Sequence, residues 1–533
     1  MPPTEHAPLP PARRRDDLFR PLPGGWTPAA AVAVGAFVYV LAHALIRLAF
    51  SDVIAVDWVG ETVYAQTLDW GQTPKYPPLP AWALWAVHQV TGPGAVSTLI
   101  VKYTVLWAAI MAYFFAARRV LGADGWAVLA TVSVLLIFQL AWNAHEGVTH
   151  TLFLTLAAPL TLLAVLRLPA APTVTNYVLL GVAVALGALA KQAYFAGLVA
   201  LLAAALMQPG YRAALINWRL LLTAATAVCL AGPHYAWAVS SGFDFGTAAR
   251  TTLSAPGSDT WLAQVASGLV SSIRAPLLFL SPLLPVLLLV VPRAFAPANI
   301  VHPGAHGPPG ADPVRLVRDA LLCGVGVLVV PVLFAGVAHY GERWMHPLML
   351  LGPIYLMAMV RAVRPSARRL RVFIGIILAV SVVALGWRLA GFVYPSPTTC
   401  GKCRLAVPYG ALAAGLDDMG FTHGTILAAD EHIAGNLRTH FPDARVVALN
   451  YDYYDPPATG RSGGQCLVVW RSRAGDAEAH MPHSALTYMG LAQRPTGAQI
   501  RTFRLPHGHL FLPDDYAVSR FAAVLLPATG RCR

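Results

Sequence analysis

Acidic and aromatic residues crowd one stretch of this 533-residue chain, Val56-Asp57-Trp58-Val59-Gly60-Glu61-Thr62-Val63-Tyr64-Ala65-Gln66-Thr67-Leu68-Asp69-Trp70-Gly71, followed by Lys75-Tyr76-Pro77-Pro78-Leu79-Pro80-Ala81-Trp82. Asp57 and Glu61 are four apart, so a helix here sets both carboxylates on one face. The Trp and Tyr residues suit a segment lying at a membrane surface. Carboxylates and aromatics set together at such a surface are the densest candidates for chemistry in the chain. The plainer reading is a solvated amphipathic loop with an aromatic belt.

Other residues could act with it. Lys191 and Arg343 interrupt or border apolar runs, where charge is costly and usually functional. Their plainer roles are a snorkelling or carbonyl-paired lysine and a loop anchor beside Glu342. His145, Glu146 and His150 cluster in a short segment and could bind a divalent metal, contact substrate or hydrogen-bond within their loop. Zinc would need a third protein ligand that the sequence does not place. Lys102, inside an apolar run, reads as buried against a partner, and Asp430 and Glu431 read as solvated surface.

The surrounding elements must hold these groups at a bilayer. The chain is 56% hydrophobic and only 12% charged, about half the charge of a soluble domain. Its net charge of +13 sits largely in short loops between apolar runs, which sets membrane orientation rather than nucleic-acid binding. Apolar runs long enough to cross a membrane are expected near 28–50, 96–117, 124–142, 150–167, 176–190, 192–207, 219–237, 275–292, 316–335, 346–361 and 372–392. The first starts after basic residues but lacks a small-residue cleavage site, so it reads as a retained helix.

Arg13, Arg14 and Arg15, then Arg118 and Arg119, Arg167, Arg212 and Arg219, Arg293 and Arg315, and Arg364, Arg368, Arg369 and Arg371 fall in alternate loops, a side the positive-inside rule makes cytoplasmic. Asp52, Asp57, Glu61, Asp69, His145 and Glu146 fall on the other. An odd number of spans, about eleven, leaves the C-terminus outside. The expected fold is therefore an all-α polytopic membrane domain over 28–392, with interfacial helices in an external loop at 51–95, preceded by a cytoplasmic segment at 1–27. Pro297 to Pro313 reads as a flexible cytoplasmic loop.

After Phe392 the polarity becomes mixed, and strand-like runs at Thr425 to Ala428, Arg445 to Leu449 and Cys466 to Trp470 point to a small α/β domain over 393–533. Cys400, Cys403, Cys466 and Cys532 lie in this tail. In an oxidising compartment they most simply form two disulfides, with half a zinc site or a redox pair as alternatives for Cys400 and Cys403. Cys229 and Cys323 fall within spans and read as packing residues.

The acidic first loop, followed by Leu-Asp-Trp-Gly and Tyr-Pro-Pro-Leu-Pro-Ala-Trp, resembles the protein-mannosyltransferase-like and aminoarabinose-transferase-like branch of the C-type glycosyltransferases. Thr149-His150-Thr151, Gly187-Ala188-Leu189-Ala190-Lys191, Arg343-Trp344-Met345-His346-Pro347, Ala434-Gly435-Asn436-Leu437-Arg438 and Gln465-Cys466-Leu467-Val468-Val469-Trp470 carry further likeness. The resemblance implies an inverting transfer from a polyprenyl-phosphate sugar to an acceptor hydroxyl on a lipid, glycan or protein, at the periplasmic face of a bacterial inner membrane. It implies Asp57 as base, seconded by Glu61, with Lys191, Arg343 and Lys75 on the donor phosphate and Tyr64, Tyr76, His145, Glu146 and His150 toward substrate. In many members the second acid adjoins the first or follows three residues on, and Lys or His precedes the Pro pair. Here Trp58 and Gly60 take the acid's places, and Tyr76 separates Lys75 from Pro77. A multispan transporter or lipid-carrier flippase would also carry charge at membrane depth. It would not need an outer domain or an external acidic cluster, and no internal repeat is evident.

Overall fold

The computed structural model describes residues 25–533 apart from 55, 254–259, 298–308, 401–402, 452, 459–463, 473–479, 510, 512 and 514–515. Arg13, Arg14 and Arg15 and most of the expected loop from Pro297 to Pro313 lie outside the described residues.

Helices dominate up to Val393. Seven are long and apolar enough to cross a membrane: Pro28–Phe50, Ala95–Leu121, His150–Arg167, Leu220–Ser240, Trp261–Phe279, Pro313–Ala335 and Ala367–Val393. Two bent pairs, Tyr194–Leu206 with Pro209–Leu215 at 117° and Glu342–Met349 with Gly352–Ala362 at 62°, raise the number to nine. Among the described residues, seven to nine spans thus stand by length and composition where the sequence suggests about eleven. The runs expected at 124–142 and 176–190 form the shorter apolar helices Asp124–Leu136 and Val174–Ala190.

The run expected at 275–292 is also displaced. Its long helix is Trp261–Phe279, and Leu283–Val290 follows as a separate short one. Gln264, Ser271, Ser272 and Arg274 dilute the hydropathy of the first half and hid it.

Local signals explain the helix ends. Thr27, Thr260 and Ser366 accept hydrogen bonds from backbone N–H groups of the helices they open, and Asp312 accepts two. Gly122 and Gly336 close helices in the left-handed conformation, at φ 63° and 66°. The last membrane helix is only 11% buried. Its exposed Leu378, Val382 and Val383 form the apolar face that a helix turns to lipid.

Several basic turns meet at one end of the bundle. Arg118 pairs with Asp124 at 2.6 Å, Arg361 donates to the Leu121 carbonyl, and Arg119 lies within electrostatic reach of Tyr211. Gly210 N–H donates to the Gly310 carbonyl at 2.9 Å. Cys229, expected to pack inside, is exposed on its helix, and Cys323 is half-buried.

The C-terminal domain, expected from the sequence to be the outer one, is a five-stranded mixed sheet among the described residues. Its strands are β1 (Gly424–Ala428), β2 (Arg445–Ala448), β3 (Gln465–Arg471), β4 (Ile500–Pro506) and β5 (Val518–Pro527), in the order β2-β1-β3-β5-β4. The first three run parallel, and β5 is antiparallel to both β3 and β4. β1 to β3 coincide closely with the expected runs; β4 and β5 were not anticipated.

Helix Val56–Tyr64 joins the two halves. Every residue from Trp58 to Tyr64 is buried. Trp58 and Val59 pack with Val40, Val101, Leu106 and Phe153 of the membrane helices. Val63 and Tyr64 pack with Ile433, Leu437 and Val446 of the outer domain. One short helix is thus shared by two cores.

Candidate active site

The junction helix is held tightly from the outer-domain side. A Cβ at Gly435 would meet the Val59 carbonyl oxygen at 2.4 Å, so helix Glu431–His440 approaches it backbone to backbone. Asn436 Oδ1 accepts from Ile54 N–H at 2.7 Å. The Arg438 guanidinium donates to the carbonyls of Thr62 and Ala65. Gln66 pairs with Val446 through both its amide groups, at 2.8 Å each.

This clamp sets the two carboxylates. Glu61 is 4% exposed and its Oε1 lies 2.9 Å from His150 Nε2. His150 Nδ1 donates to the Ala190 carbonyl at 3.1 Å. Both ring nitrogens therefore face oxygen, which makes Glu61 and His150 one hydrogen-bonded unit. The Tyr76 ring stacks on His150 with centroids 5.0 Å apart, and the Lys75 ammonium lies 5.3 Å from the Tyr76 ring centre.

Lys191 belongs to the same knot. Its Nζ donates to Thr151 Oγ1 at 3.0 Å, while Gln192 Nε2 donates to the Lys75 carbonyl at 2.9 Å. Arg343 is exposed in the turn Glu342–Met345, and its carbonyl accepts from His346 Nδ1 at 2.9 Å.

Asp57 faces open space, yet the surrounding protein still desolvates it. Burial pushes its carboxyl above the usual carboxylate range, and the Glu61 charge pushes the same way. His150, Lys191 and Arg343 pull against them. Two basic side chains, an imidazole and a second acid thus act on one carboxylate, and these are the residues singled out in the sequence.

The rest of the expected set divides. Tyr64 is buried, stacked on Tyr451 of the outer domain with centroids 5.0 Å apart. His145 points elsewhere: its ring stacks on His43 at 3.6 Å, and Tyr39 Oη lies 2.7 Å from its Nε2. Glu146 lines a separate cavity with Arg388. Lys102 is 3% exposed and donates to the carbonyls of His145 and Glu146 at 2.5 and 2.8 Å. His145, Glu146 and His150 therefore do not converge as a metal site, and the described residues hold no group of three or more His, Cys, Asp or Glu placed for one.

Asp430 is an N-cap, accepting from Ile433 N–H at 2.9 Å, and pairs with Arg471 at 3.3 Å. The tail cysteines form two disulfides, Cys400–Cys403 and Cys466–Cys532.

Tyr451 went unnoticed in the sequence. Its hydroxyl sits 2.3 Å from where a Cβ on Gly60 would lie. Burial raises its ionisation above the ordinary range, and Glu431, Glu61 and Asp57 add to that. Only the Tyr-rich segment Tyr451-Asp452-Tyr453-Tyr454 hinted at it.

A bundle of apolar helices joined to a small α/β domain is a fold this chain shares with solved structures of ArnT. Residues 75–237 match the family described as dolichyl-phosphate-mannose-protein mannosyltransferase. The chain is 29% identical over 443 residues to the lipopolysaccharide core galacturonosyltransferase RgtB of Rhizobium johnstonii, covering 83% of this chain and 87% of that one. To RgtA of the same organism, also a lipopolysaccharide core galacturonosyltransferase, it is 27% identical over 474 residues, 86% and 91% of the two chains.

The crystal structure of ArnT from Cupriavidus metallidurans bound to undecaprenyl phosphate superposes with a TM-score of 0.54 at 13% identity, over 93% of this chain and 98% of that one. The apo form gives 0.50 at 14% identity, over 94% and 98%. The structural likeness carries the fold, and the curated relatives carry the enzyme class. The family model, the curated relatives and the solved structures all make this chain similar to membrane glycosyltransferases of the protein-mannosyltransferase-like kind.

Proposed function

We propose that the chain transfers a sugar, with inversion, from a polyprenyl-phosphate donor to a hydroxyl of a lipid or glycan acceptor at the periplasmic face of a bacterial inner membrane. Asp57 is the general base. The observation that carries this reading is the Glu61–His150 pair at 2.9 Å, Glu61 being on the helix that bears Asp57, with His150, Lys191 and Arg343 within electrostatic reach of the Asp57 carboxyl. The named relatives act on lipopolysaccharide core, and the ArnT structure holds undecaprenyl phosphate. Both fit a lipid-linked donor and an envelope acceptor.

The chemistry follows from the leaving group. The lipid phosphate leaves the anomeric carbon as a stable anion and takes no proton, so no general acid is required. Inverting hydrolases need two carboxylates because their leaving groups are poorer. Here Asp57 takes the acceptor proton as the oxygen attacks the anomeric carbon from the face opposite the phosphate. A matched base contributes about 10²- to 10⁴-fold. Lys191 and Arg343 stabilise the charge growing on the departing phosphate, and Lys75 borders the same space above Tyr76. Glu61 fixes His150 and adds negative charge near Asp57, which strengthens it as a base.

In this reading residues 28–392 form the membrane domain, with its catalytic loop at 51–95, and residues 393–533 form the periplasmic domain. The test is transfer by purified full-length chain from a panel of polyprenyl-phosphate sugars to envelope extracts, with Asp57→Asn alongside. One donor consumed by the parent and spared by the variant is the expected result. Equal consumption would move the base elsewhere.

A further inference from the structure

Glycine in the middle of a short helix weakens it, so Gly60, three residues beyond Asp57 in helix Val56–Tyr64, needs a reason. The reason stands across from it. A Cβ on Gly60 would meet Tyr451 Oη at 2.3 Å and Cζ at 3.3 Å, so a side chain there would displace the head of the tyrosine. Tyr451 follows β2, and its N–H donates to the Ala448 carbonyl at 2.9 Å. Its ring stacks on Tyr64, and Tyr64 in turn meets the Tyr454 ring edge-on at 5.3 Å. Backbone and ring are both held, which sets the hydroxyl over Gly60.

That hydroxyl fastens nothing in the fold. It has no hydrogen-bond partner among the described residues, and its oxygen is open rather than sealed by protein atoms. The neighbouring Tyr454 differs: its hydroxyl lies 3.0 Å from Thr67 Oγ1 and donates to the Tyr64 carbonyl at 3.3 Å. One tyrosine thus ties the C-terminal domain to the junction helix, while the other keeps its donor free. Burial and the charges of Glu431, Glu61 and Asp57 hold the Tyr451 phenol protonated, so it can donate as well as accept.

Its place decides what it can touch. Residues three apart on a helix carry their Cβ positions about 5–6 Å apart, close to the span of a pyranose ring from its anomeric carbon to the opposite hydroxyl. A sugar with its anomeric carbon beside Asp57 therefore brings its far hydroxyls toward Gly60 and Tyr451. Tyr76, stacked on His150, is within electrostatic reach of the same phenol, so aromatic side chains from both parts of the chain border that space.

We propose that Tyr451 reads the sugar being transferred: its hydroxyl hydrogen-bonds one ring hydroxyl remote from the anomeric carbon, and position 60 is glycine to leave it room. The proposal rests on the transferase reading and adds to it a specificity-determining residue supplied by the C-terminal domain.

The test sets Tyr451→Phe, in full-length chain, against the donor that the parent turns over and the monodeoxy forms of that donor's sugar. The parent should lose about tenfold or more in kcat/KM with one deoxy form. Tyr451→Phe should lose as much with the intact donor and nothing further with that deoxy form, the signature of a shared contact. The acceptor KM should not change. Losses that simply multiply would overturn the contact, and a raised acceptor KM with donor discrimination intact would give the hydroxyl to the acceptor instead.

Because the hydroxyl pairs with nothing in the fold, Tyr451→Phe should melt with the parent; a lower melting temperature with unchanged discrimination would make the hydroxyl structural. Should that variant fold poorly, Gly60→Ala reads the same contact from the helix side, since its Cβ takes the hydroxyl's place. It should abolish discrimination against the same deoxy form, and keeping it would sink the proposal. A parent that turns over no donor sinks the transferase reading and this assignment together, whereas turnover with equal discrimination in parent and variants sinks the assignment alone.

Discussion

Asp57 is opposed by its own surroundings, and that opposition can be measured. Burial leads the influences on its carboxyl and raises it, so the folded protein holds that proton more tightly than the unfolded chain does. Stability from such a group is present in full at low pH and is lost as pH rises through the raised folded value. Asp57→Asn should therefore melt above the parent at neutral pH, with the gap closing on acidification. A scan of melting temperature against pH would show this, and a variant that melts below the parent throughout would refute it. Activity should move the other way. As the proposed base, Asp57 must be ionised to act, so the acid limb of the parent's kcat/KM should fall at a higher pH than an ordinary carboxylate would give. Among the cations, Lys191→Met should lower kcat about 10²-fold, the scale of losing one donor to a developing oxyanion; an unchanged kcat with a raised donor KM would make Lys191 a ground-state contact only.

Two helices meeting backbone to backbone explain how such a short element can be so well placed. Helix Val56–Tyr64 has only nine residues, too few to be stable alone, and takes its order from packing on both faces. Gly435 allows the approach. Gly435→Ala would drive a methyl into the Val59 carbonyl, and such overpacking costs about 1–3 kcal/mol; because the strain falls on Asp57's own helix, kcat should drop more than stability does. Asn436→Ala leaves the buried Ile54 N–H unpaired at a cost of about 1–3 kcal/mol, readable as a lower melting temperature. The sequence made half of this legible. An interfacial helix was expected in this loop, in which Asp57 and Glu61 would share a face, and Gly435-Asn436-Leu437-Arg438 stood out through resemblance alone. What it could not give was the pairing of residues some 380 apart, such as Gln66 with Val446, since nothing local encodes it. His145 and Glu146 misled because proximity in sequence suggested a shared site, whereas adjacent residues leave a one-turn 3₁₀ segment in different directions.

Across the whole molecule, the transfer proposed for Asp57 would depend on the outer domain keeping its shape, because that domain packs against one face of the junction helix. Its C-terminal end is fastened back onto the sheet. Cys532 is bonded to Cys466 on β3, Thr425 Oγ1 donates to the Arg533 carbonyl at 2.8 Å, and Asp455 binds both Arg445 and Arg531. The two disulfides are therefore unequal. Cys466–Cys532 closes 66 residues and Cys400–Cys403 closes three, and the stabilisation from a cross-link grows with the loop it closes, reaching about 2–5 kcal/mol for long ones. Replacing Cys466 and Cys532 together by Ser should lower the outer domain's melting transition and depress transfer with it, while far-ultraviolet circular dichroism of the membrane helices stays near that of the parent. The same change at Cys400 and Cys403 should shift the transition much less. Should the first pair be lost without effect on transfer, the wall of the junction helix would have to be held by Gln66, Asn436 and Arg438 alone, and variants at those three residues would then carry the whole coupling between the outer domain and Asp57.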